Sequence, residues 1–357
     1  MIKTVPLFAA ALPRTLVALA RAAVPVLFAA GCSGLHAQSF VSISGAVDVG
    51  VGYVKTDSKH LWQVSSGSIA ASSLVFQGKE DLGGGYDATF LLRHLFVTGT
   101  GATSGSKYFG SESKVGLGTP YGRVEAGRLF DPTHQVLVFK APSQSNYAGA
   151  FNLGIGGYSP YWDNSIRYTS PTLGGVRFEF QHSLAILNDE PVSPSKNGVA
   201  SAAALHYAAG SLDLSGVFEQ TRTDKLPTVD YKARRAILMG TYNTGPVMAH
   251  FGYFDERHSG IGAPPEFGLT ILGLSGRPTP LWKLSAEIGR KNFSHSAGKV
   301  NFLGLGAFYS LSKRTLLYSE VALIRNSGVA RQAVYRGIAV AAGENTSGYM
   351  VGIRHNF

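Results

Sequence analysis

The ten residues from Gly348 to Phe357 read GYMVGIRHNF and decide the fold. Tyr349, Val351 and Ile353 fall on one parity of this stretch, and smaller or polar residues occupy most of the other. A period of two is that of a β-strand, and about ten tilted residues at about 3.3 Å each cross a bilayer as one strand of a closed barrel. The stretch therefore predicts a membrane strand that ends on an aromatic side chain.

The first 37 residues are arranged like a secretory signal peptide. Three basic residues and no acidic residue accompany a short apolar run at 22–30, and small residues follow up to Ala37. The run is much shorter than the about 20 apolar residues that a membrane helix needs, and Pro25 interrupts it. We predict a secretory signal peptide at 1–37 and a mature domain at 38–357.

The only cysteine, Cys32, leaves a second interpretation of this segment open. Gly31 and Cys32 form the pair at which a lipoprotein signal is cleaved and lipidated, although Ala29 stands where a leucine is usual. Cleavage after Ala37 would instead remove Cys32. The mature chain would then have no thiol and no disulfide.

Composition and hydropathy favour a barrel of strands over helical spans. The chain has 44 Gly, 16 Tyr and 20 Phe and a mean hydropathy of +0.07. After the signal, no apolar run reaches the about 18 residues that indicate a helical span. Strands with one face in lipid and one in water give a near-neutral average. No linker or charge block divides the mature chain, which indicates one continuous domain.

Alternation of period two recurs along the mature chain. It is clear at 41–53, 86–93, 176–181, 212–219 and 282–288, where large apolar residues share one parity and polar or charged residues share the other. Seven short turns rich in Gly and Pro lie at 82–85, 118–121, 171–174, 209–211, 243–246, 276–279 and 310–313. Seven such turns interleaved with eight longer connections predict sixteen strands.

A soluble β-sandwich would also alternate and turn at regular spacing. Charged residues nevertheless recur on the polar face of nearly every strand, and aromatic residues lie near the ends of the apolar face. These aromatics are Tyr53, Tyr86, Tyr168, Tyr207, Tyr242, Tyr253 and Tyr309. A water-filled lumen and an aromatic girdle explain both features. The predicted fold class is therefore all-β, a sixteen-stranded antiparallel transmembrane β-barrel.

Several short motifs follow one another along the mature chain. They are Gly45-Ala46-Val47-Asp48, the stretch GKEDLGGG at 78–85, GRLFD at 127–131, DNSIRY at 163–168, LSKRT at 311–315 and the ending GIRHNF. In order and spacing the chain resembles the Gram-negative general porins of betaproteobacterial type. The resemblance implies a homotrimer of barrels in the outer membrane, each a passive pore for small hydrophilic solutes and ions that is narrowed by an inward-folded third loop.

The third loop corresponds to the longest connection without clear alternation, from Asp131 to about Asp163. Between Pro132 and Trp162 it has no Asp or Glu but carries Lys140, whereas the resemblance implies acids here, facing a basic wall. A loop lying on the surface outside the pore is the alternative. If the loop folds inward, its composition predicts a weak electric field across the pore and a preference for anions over cations.

Arginines on the neighbouring strands are candidates for the constriction. Arg93 and Arg167 keep inward parity, and so do Arg123 and Arg177, although each of these two alternates with a glutamate and could form a structural ion pair. Arg128 reaches the pore only if a bulge occurs at the preceding glycine. A ring of positive charge favours anions. The predicted constriction comprises Arg93, Arg123, Arg128, Arg167, Arg177, Asp131, Asp163 and Lys140.

Motifs for catalysis, cofactors and metals are missing. The sequence has no Gly-x-Ser-x-Gly, no phosphate-binding P-loop, no His-Glu-x-x-His and no paired cysteines, and its ten histidines are scattered. The net charge of +10 comes without a Lys/Arg run that would indicate nucleic-acid binding. We predict a passive pore, not an enzyme, without cofactor or metal. A substrate-selective channel and, in another class, an enzymatic or adhesive barrel are the alternatives.

Partners are predicted at the two ends of the barrel. Basic residues that include Lys55, Lys59, Lys107, Arg222, Lys225, Arg257 and Lys291 are expected to meet anionic lipopolysaccharide. Phe357 resembles the terminal aromatic that outer-membrane assembly machinery recognises. Its strand should close the barrel by pairing with the strand that begins at Val41, with His355 on the lipid side and Arg354 in the lumen.

Overall fold

The strands of the chain form one antiparallel sheet. A computed structural model describes residues 39–143, 145, 149–154, 160–184, 198–226, 229–294, 298–334 and 338–357. The predicted signal peptide and Cys32 lie outside the described residues. The strands are β1 (Phe40–Thr56), β2 (His60–Ser66), β3 (Ser72–Gly83), β4 (Tyr86–Phe96), β5 (Glu112–Thr119), β6 (Gly122–Phe130), β7 (Tyr161–Thr169), β8 (Val176–Ser183), β9 (Ala200–Ala209), β10 (Leu212–Leu226), β11 (Val229–Asn243), β12 (Val247–Ile261), β13 (Phe267–Thr279), β14 (Trp282–Phe293), β15 (Lys299–Ser310), β16 (Thr315–Ser327) and β17 (Thr346–Asn356).

The sheet closes into a ring. From β3 onward each strand pairs antiparallel with the next, and β17 returns to β1 with a register from Ala46↔Asn356 to Thr56↔Thr346. β2 and β3 share one position, because β1 pairs with β3 through its first half and with β2 through its second half. Seventeen strands thus fill sixteen positions. The predicted sixteen-stranded barrel and the pairing of its last strand with its first are confirmed.

The break at 67–71 between β2 and β3 is organised by Asp48. The buried carboxylate of Asp48 accepts hydrogen bonds from three successive backbone N–H groups beginning at Ser68, at 3.1 to 3.3 Å, and from the Tyr318 hydroxyl at 2.8 Å. Four donors compensate the cost of burying this acid. Arg354 lies 3.5 Å from the same carboxylate, so its predicted position in the lumen is confirmed.

Connections differ between the two ends of the barrel. The end that carries the seven short turns is called the turn end, and the opposite end is called the loop end. Long connections at the loop end include 97–111, 131–160 and 328–345. The prediction that all eight connections there are longer is wrong at two places: three residues join β1 to β2, and β10 and β11 are joined by two. Each strand of that second pair has fifteen residues, so residues expected in a loop extend the ladder.

The outer face of the barrel is apolar. Large side chains on one parity are exposed, for example Ile166 at 52 %, Phe218 at 55 % and Ile288 at 54 %. At the loop end of this face the Tyr53 ring lies 5.0 Å from the Trp62 ring and 5.5 Å from the Tyr349 ring, which agrees with the predicted girdle. No helix within the described residues is long and apolar enough to cross a membrane.

The third loop contains two helical segments and contributes to a core inside the barrel. Helix α1 spans Pro132–Phe139, and a 3-10 helix spans Ala150–Leu153. Buried apolar residues of both segments cluster with inward side chains of β10 to β16. On β13 the inward residues Leu269 and Ile271 are as apolar as the outward Leu272. An apolar patch of wall therefore receives the loop, a feature that alternation alone does not reveal.

Candidate pore constriction

The third loop starts with a capped helix. The Asp131 carboxylate is fully buried and accepts hydrogen bonds from the backbone N–H of His134 at 2.8 Å and from His134 Nδ1 at 2.6 Å. Pro132 follows at the first helical position, where no N–H is needed. Asp131, predicted as a constriction residue, thus lies at the helix N-cap and does not face the open lumen.

The loop then crosses the lumen to the opposite wall. The backbone N–H of Ala150 donates to Glu287 Oε2 at 3.1 Å, and Lys291 Nζ donates to the Leu153 carbonyl at 2.8 Å. Glu287 and Lys291 lie on β14, whereas the loop leaves the wall at β6, halfway around the ring. The inward-folded third loop is therefore confirmed, and the alternative of a surface loop is excluded.

Three wall glutamates hold the loop in this position. Thr133 Oγ1 donates to Glu219 Oε2 at 2.6 Å, and Ser145 Oγ donates to Glu320 Oε2 at 2.7 Å, just as the 3-10 helix donates to Glu287. We call Glu219, Glu287 and Glu320 the anchoring carboxylates. All three are buried. The acids therefore lie on the wall and the donors on the loop, the reverse of the arrangement that the resemblance implies.

Two glycines on the anchoring side allow the loop to approach closely. A Cβ added at Gly273 would overlap Pro142 Cγ and lie 2.8 Å from the Ala286 carbonyl oxygen, and a Cβ at Gly289 would lie 3.0 Å from Leu153 Cδ1. All of these separations are below ordinary van der Waals contact. The missing side chains of β13 and β14 thus create the space in which the loop lies.

The loop leaves the wall at β6 and returns to it at β7. On this side of the barrel the acidic residues contact cations of the wall and not the loop. We call five inward ionic residues of β5 to β8 that lie close to one another, namely Glu112, Lys114, Glu125, Arg167 and Glu179, the paired wall. Arg167 binds Glu125 at 2.5 Å and lies 3.8 Å from Glu179, and it is only 6 % exposed. Lys114 bridges Glu112 and Glu125 at 2.9 and 3.1 Å. Acids here are balanced by cations of neighbouring strands.

Two other predicted arginines flank the paired wall. Arg93 lies 3.5 Å from Glu112, and its side chain is about 38 % exposed. Arg123 binds Asp87 at 2.5 Å near the turn end, so the structural ion pair that the sequence left open is present, with Asp87 as its partner.

Arg177, on inward parity near the turn end, is exposed. Within the described residues it has no carboxylate at ion-pair distance. Of the five predicted arginines it therefore leaves its charge least compensated.

Arg128 lies at an irregularity of the sheet. The β6–β7 register shifts between Gly127 and Leu129, but the additional residue lies on β7, and β6 pairs with β5 in unbroken register through Arg128. The irregularity is therefore opposite Arg128 and not the predicted bulge within β6. The Arg128 guanidinium binds Asp163 and the Gly110 carbonyl, the latter at 2.8 Å. Asp163 is buried, and its Oδ2 also forms an ion pair with Lys107 Nζ at 3.1 Å. Asp163 is thus neutralised by cations rather than open to solutes.

The predicted arginines do not gather at one height. By register Arg93 and Arg128 lie near the loop end, Arg123 and Arg177 near the turn end, and Arg167 between them. Lys140 directly follows α1, and its Nζ binds Asp213 of β10 at 2.7 Å. The anchoring carboxylates were missed, because an inward glutamate has the same parity whether it faces water or a loop.

A closed barrel narrowed by an internal loop is the architecture of outer-membrane channels. Among the described residues no group of three or more His, Cys, Asp or Glu is placed so that it could hold a metal ion.

The family model for Gram-negative porins matches residues 18–329. The chain belongs to the Gram-negative porin family and is a protein of the outer membrane. Over 361 residues it is 31 % identical to outer membrane porin protein 32 of Delftia acidovorans, covering 94 % of this chain and 98 % of that protein. It is 24 % identical to an outer membrane porin protein of Bordetella pertussis, covering 93 % and 98 % of the two chains.

The fold is similar to that of a solved anion-selective porin from Comamonas acidovorans. The TM-score is 0.79 at 25 % identity, and the match covers 90 % of this chain and 100 % of that chain. A loop-deletion mutant of OmpT from Vibrio cholerae, at 14 % identity and a TM-score of 0.67, shares the fold, with 89 % and 99 % covered.

Proposed function

We propose that the protein forms a water-filled pore through which small hydrophilic solutes and ions diffuse passively, with anions preferred over cations. The third loop and the cations that face the remaining passage form the constriction. Solutes pass without a catalytic step and are sorted by size and charge.

The observation that carries the anion preference is which charges remain exposed in the lumen. Arg93 is partly exposed, and Arg177 is exposed without a carboxylate partner in the described part of the chain. The anchoring carboxylates, in contrast, are buried against the loop. Because the loop carries no acid between Pro132 and Trp162, it adds no negative charge to the passage that these cations face. The similar barrel from Comamonas acidovorans is an anion-selective porin, which supports the same proposal.

The proposal extends to assembly. We propose that the segment 1–37 is removed on export, that outer-membrane assembly machinery reads Phe357, and that the mature barrel forms a homotrimer beside lipopolysaccharide. Phe357 is 47 % exposed, and its backbone pairs with Gly45 through two hydrogen bonds of 3.0 Å. Its ring is thus accessible while its backbone closes the barrel.

The test is the zero-current potential of the reconstituted pore in a KCl gradient. We expect the sign that indicates chloride permeation, and we expect Arg93→Ala and Arg177→Ala to move the potential toward that of potassium. Arg314→Ala is the matched control, because Arg314 lies exposed in the turn between β15 and β16. A potassium-selective wild type would contradict the anion preference, and a complete lack of conductance would contradict the pore. Conductance that saturates with a single solute would favour a substrate-selective channel instead.

A further inference from the structure

A cavity of about 440 Å³ lies at the turn end of the lumen, where the third loop meets the wall. Lys140 and Pro142 of the loop form one side, and Asp213, Arg277 and Lys283 are among the wall residues that line it. Small-molecule sites in proteins commonly enclose about 300 to 1,000 Å³, so the space suits a metabolite-sized solute. The cavity is separate from the arginines of the predicted constriction.

The charge of this cavity is strongly positive. Lys140 is paired with Asp213 at 2.7 Å. Arg277 and Lys283 lie on β13 and β14 on either side of a two-residue turn, and neither has a carboxylate at ion-pair distance within the described residues. Lys283 Nζ lies 5.5 Å above the Phe308 ring, a contact that orients the ammonium group without neutralising it. Two positive charges that no carboxylate contacts directly thus lie beside one ion pair.

The cavity is held in shape by His250. Its Nδ1 lies 2.8 Å from the Lys140 carbonyl, and its Nε2 lies 2.9 Å from Ser275 Oγ. Because a carbonyl can only accept, Nδ1 carries the proton and donates, and Nε2 of the neutral ring accepts from the serine hydroxyl. The imidazole therefore fixes the end of α1 to β12 and β13. A preformed site loses less entropy on binding than one that must be ordered.

We propose that this cavity is a binding subsite for small organic solutes that carry two or more carboxylate or phosphate groups. The inference rests on the proposed function, since solutes reach the subsite only through the pore. Arg277 and Lys283 each bind one anionic group, and the apolar surface of Pro142 and Met248 contacts the carbon skeleton. Both cations belong to a wet lumen, so binding is weak enough for the solute to leave. The subsite raises the local concentration of multivalent anions at the turn end.

Citrate is a suitable probe for this subsite, with acetate as the monovalent comparison. Single wild-type pores in a planar bilayer are recorded in dilute KCl, because screening extends over about 10 Å at 0.1 M salt and shortens at higher salt. We expect citrate to interrupt the chloride current at concentrations at which acetate has no effect, and to do so more readily from the turn end. The double variant Arg277→Ala/Lys283→Ala should weaken this block about tenfold.

The double variant Lys313→Ala/Arg314→Ala is the matched control, because it removes the same charge from an exposed turn that does not line the cavity. It should be blocked by citrate like the wild type. An anion-preferring pore that citrate does not block, or blocks equally in both double variants, overturns the subsite and leaves the proposed function intact. A pore that prefers potassium overturns the proposed function instead. If the Ala double variant does not insert, Arg277→Gln/Lys283→Gln replaces it, judged by the same loss of block.

Discussion

The two sides of the lumen use the same residue types in different ways. On the paired wall, Glu125 accepts cations of the neighbouring strands and thereby joins strand to strand. Across the lumen, the anchoring carboxylates Glu287 and Glu320 accept hydrogen bonds from the third loop and not from an adjacent strand. Acids of the first kind link neighbouring strands, whereas acids of the second kind hold the loop inside the lumen. Changes on the two sides should therefore affect different properties.

The largest effect should come from breaking the buried pair of the paired wall. Arg167→Ala leaves the buried Glu179 without its cation and the half-buried Glu125 with Lys114 alone, and removing one partner of a buried pair typically costs about 3 to 5 kcal/mol. We expect a lower urea midpoint of the folded barrel in liposomes. Arg123→Ala, at the more exposed pair with Asp87, should cost about 1 kcal/mol or less. Equal losses in the two variants would mean that burial of the pair does not matter.

On the anchoring side, removal of the acceptors should change conductance rather than overall stability. Glu287→Ala and Glu320→Ala each remove an acceptor of a hydrogen bond from the loop, and such a bond typically contributes about 0.5 to 1.5 kcal/mol. The loop should then leave the wall for part of the time, and single-channel recordings should show a larger and noisier conductance. Glu179→Ala on the paired wall is the control and should leave the conductance steady. If it produces the same noise, the distinction between the two walls fails.

Close packing of the loop against the anchoring side can be tested by adding a single methyl group. Gly273→Ala places a Cβ in overlap with Pro142 Cγ and 2.8 Å from the Ala286 carbonyl, and overpacking of this kind costs about 1 to 3 kcal/mol. We expect a displaced loop and an altered conductance. Gly216→Ala, where the nearest atom is 3.9 Å away, should behave like the wild type. A normal conductance for Gly273→Ala would show that the loop does not touch β13.

The smallest effect concerns a carboxylate outside the lumen that also holds a loop. Glu344 accepts hydrogen bonds from the Ser58 hydroxyl and backbone N–H at 2.5 and 2.9 Å and from the Ala341 N–H at 2.8 Å, and these bonds lower the pKa of Glu344 to about 2. A pKa below the ordinary 4.5 means that this contribution is complete above pH 4.5 and is lost as the pH falls toward 2.

Hydrogen exchange at the Ser58 amide measures this tether. Protection should persist from neutral pH to about 4.5 and disappear near pH 2, and Glu344→Gln should weaken it at neutral pH. Protection that is lost already between about pH 6 and 5 would contradict the lowered pKa, since the carboxylate is still ionised there.

The strands were predictable because their physical signal is local. Alternation of side chains, Gly-rich turns and the terminal stretch ending at Phe357 each depend on neighbouring residues. The irregularity near Arg128 was expected on β6 but lies on the opposite strand, β7. The break at 67–71 has no comparable local signal, because it depends on Asp48 and on Tyr318, which is 270 residues away along the chain from Asp48.

The site was less predictable than the strands. Parity places Arg167 and Glu287 in the lumen. It does not say whether each side chain contacts a neighbouring strand, the loop or water. The contact between Glu287 and Ala150 joins residues 137 positions apart. Pairings of this kind arise only once the barrel has closed and the loop has folded into it. The positions of the charged side chains in the lumen were thus predictable, whereas the partners that neutralise them were not.

A disulfide across the lumen tests the central claim most directly. In the structure the Ala150 Cβ lies 3.3 Å from the position of a Cβ at Gly289, close to the separation of about 3.5 to 4.5 Å in disulfides. We predict that Ala150→Cys/Gly289→Cys, in a Cys32→Ser background, forms this bond on oxidation and keeps the conductance and zero-current potential of the reduced pore. Absence of the bond, or a conductance that falls sharply when it forms, would show that the loop does not normally lie against β14.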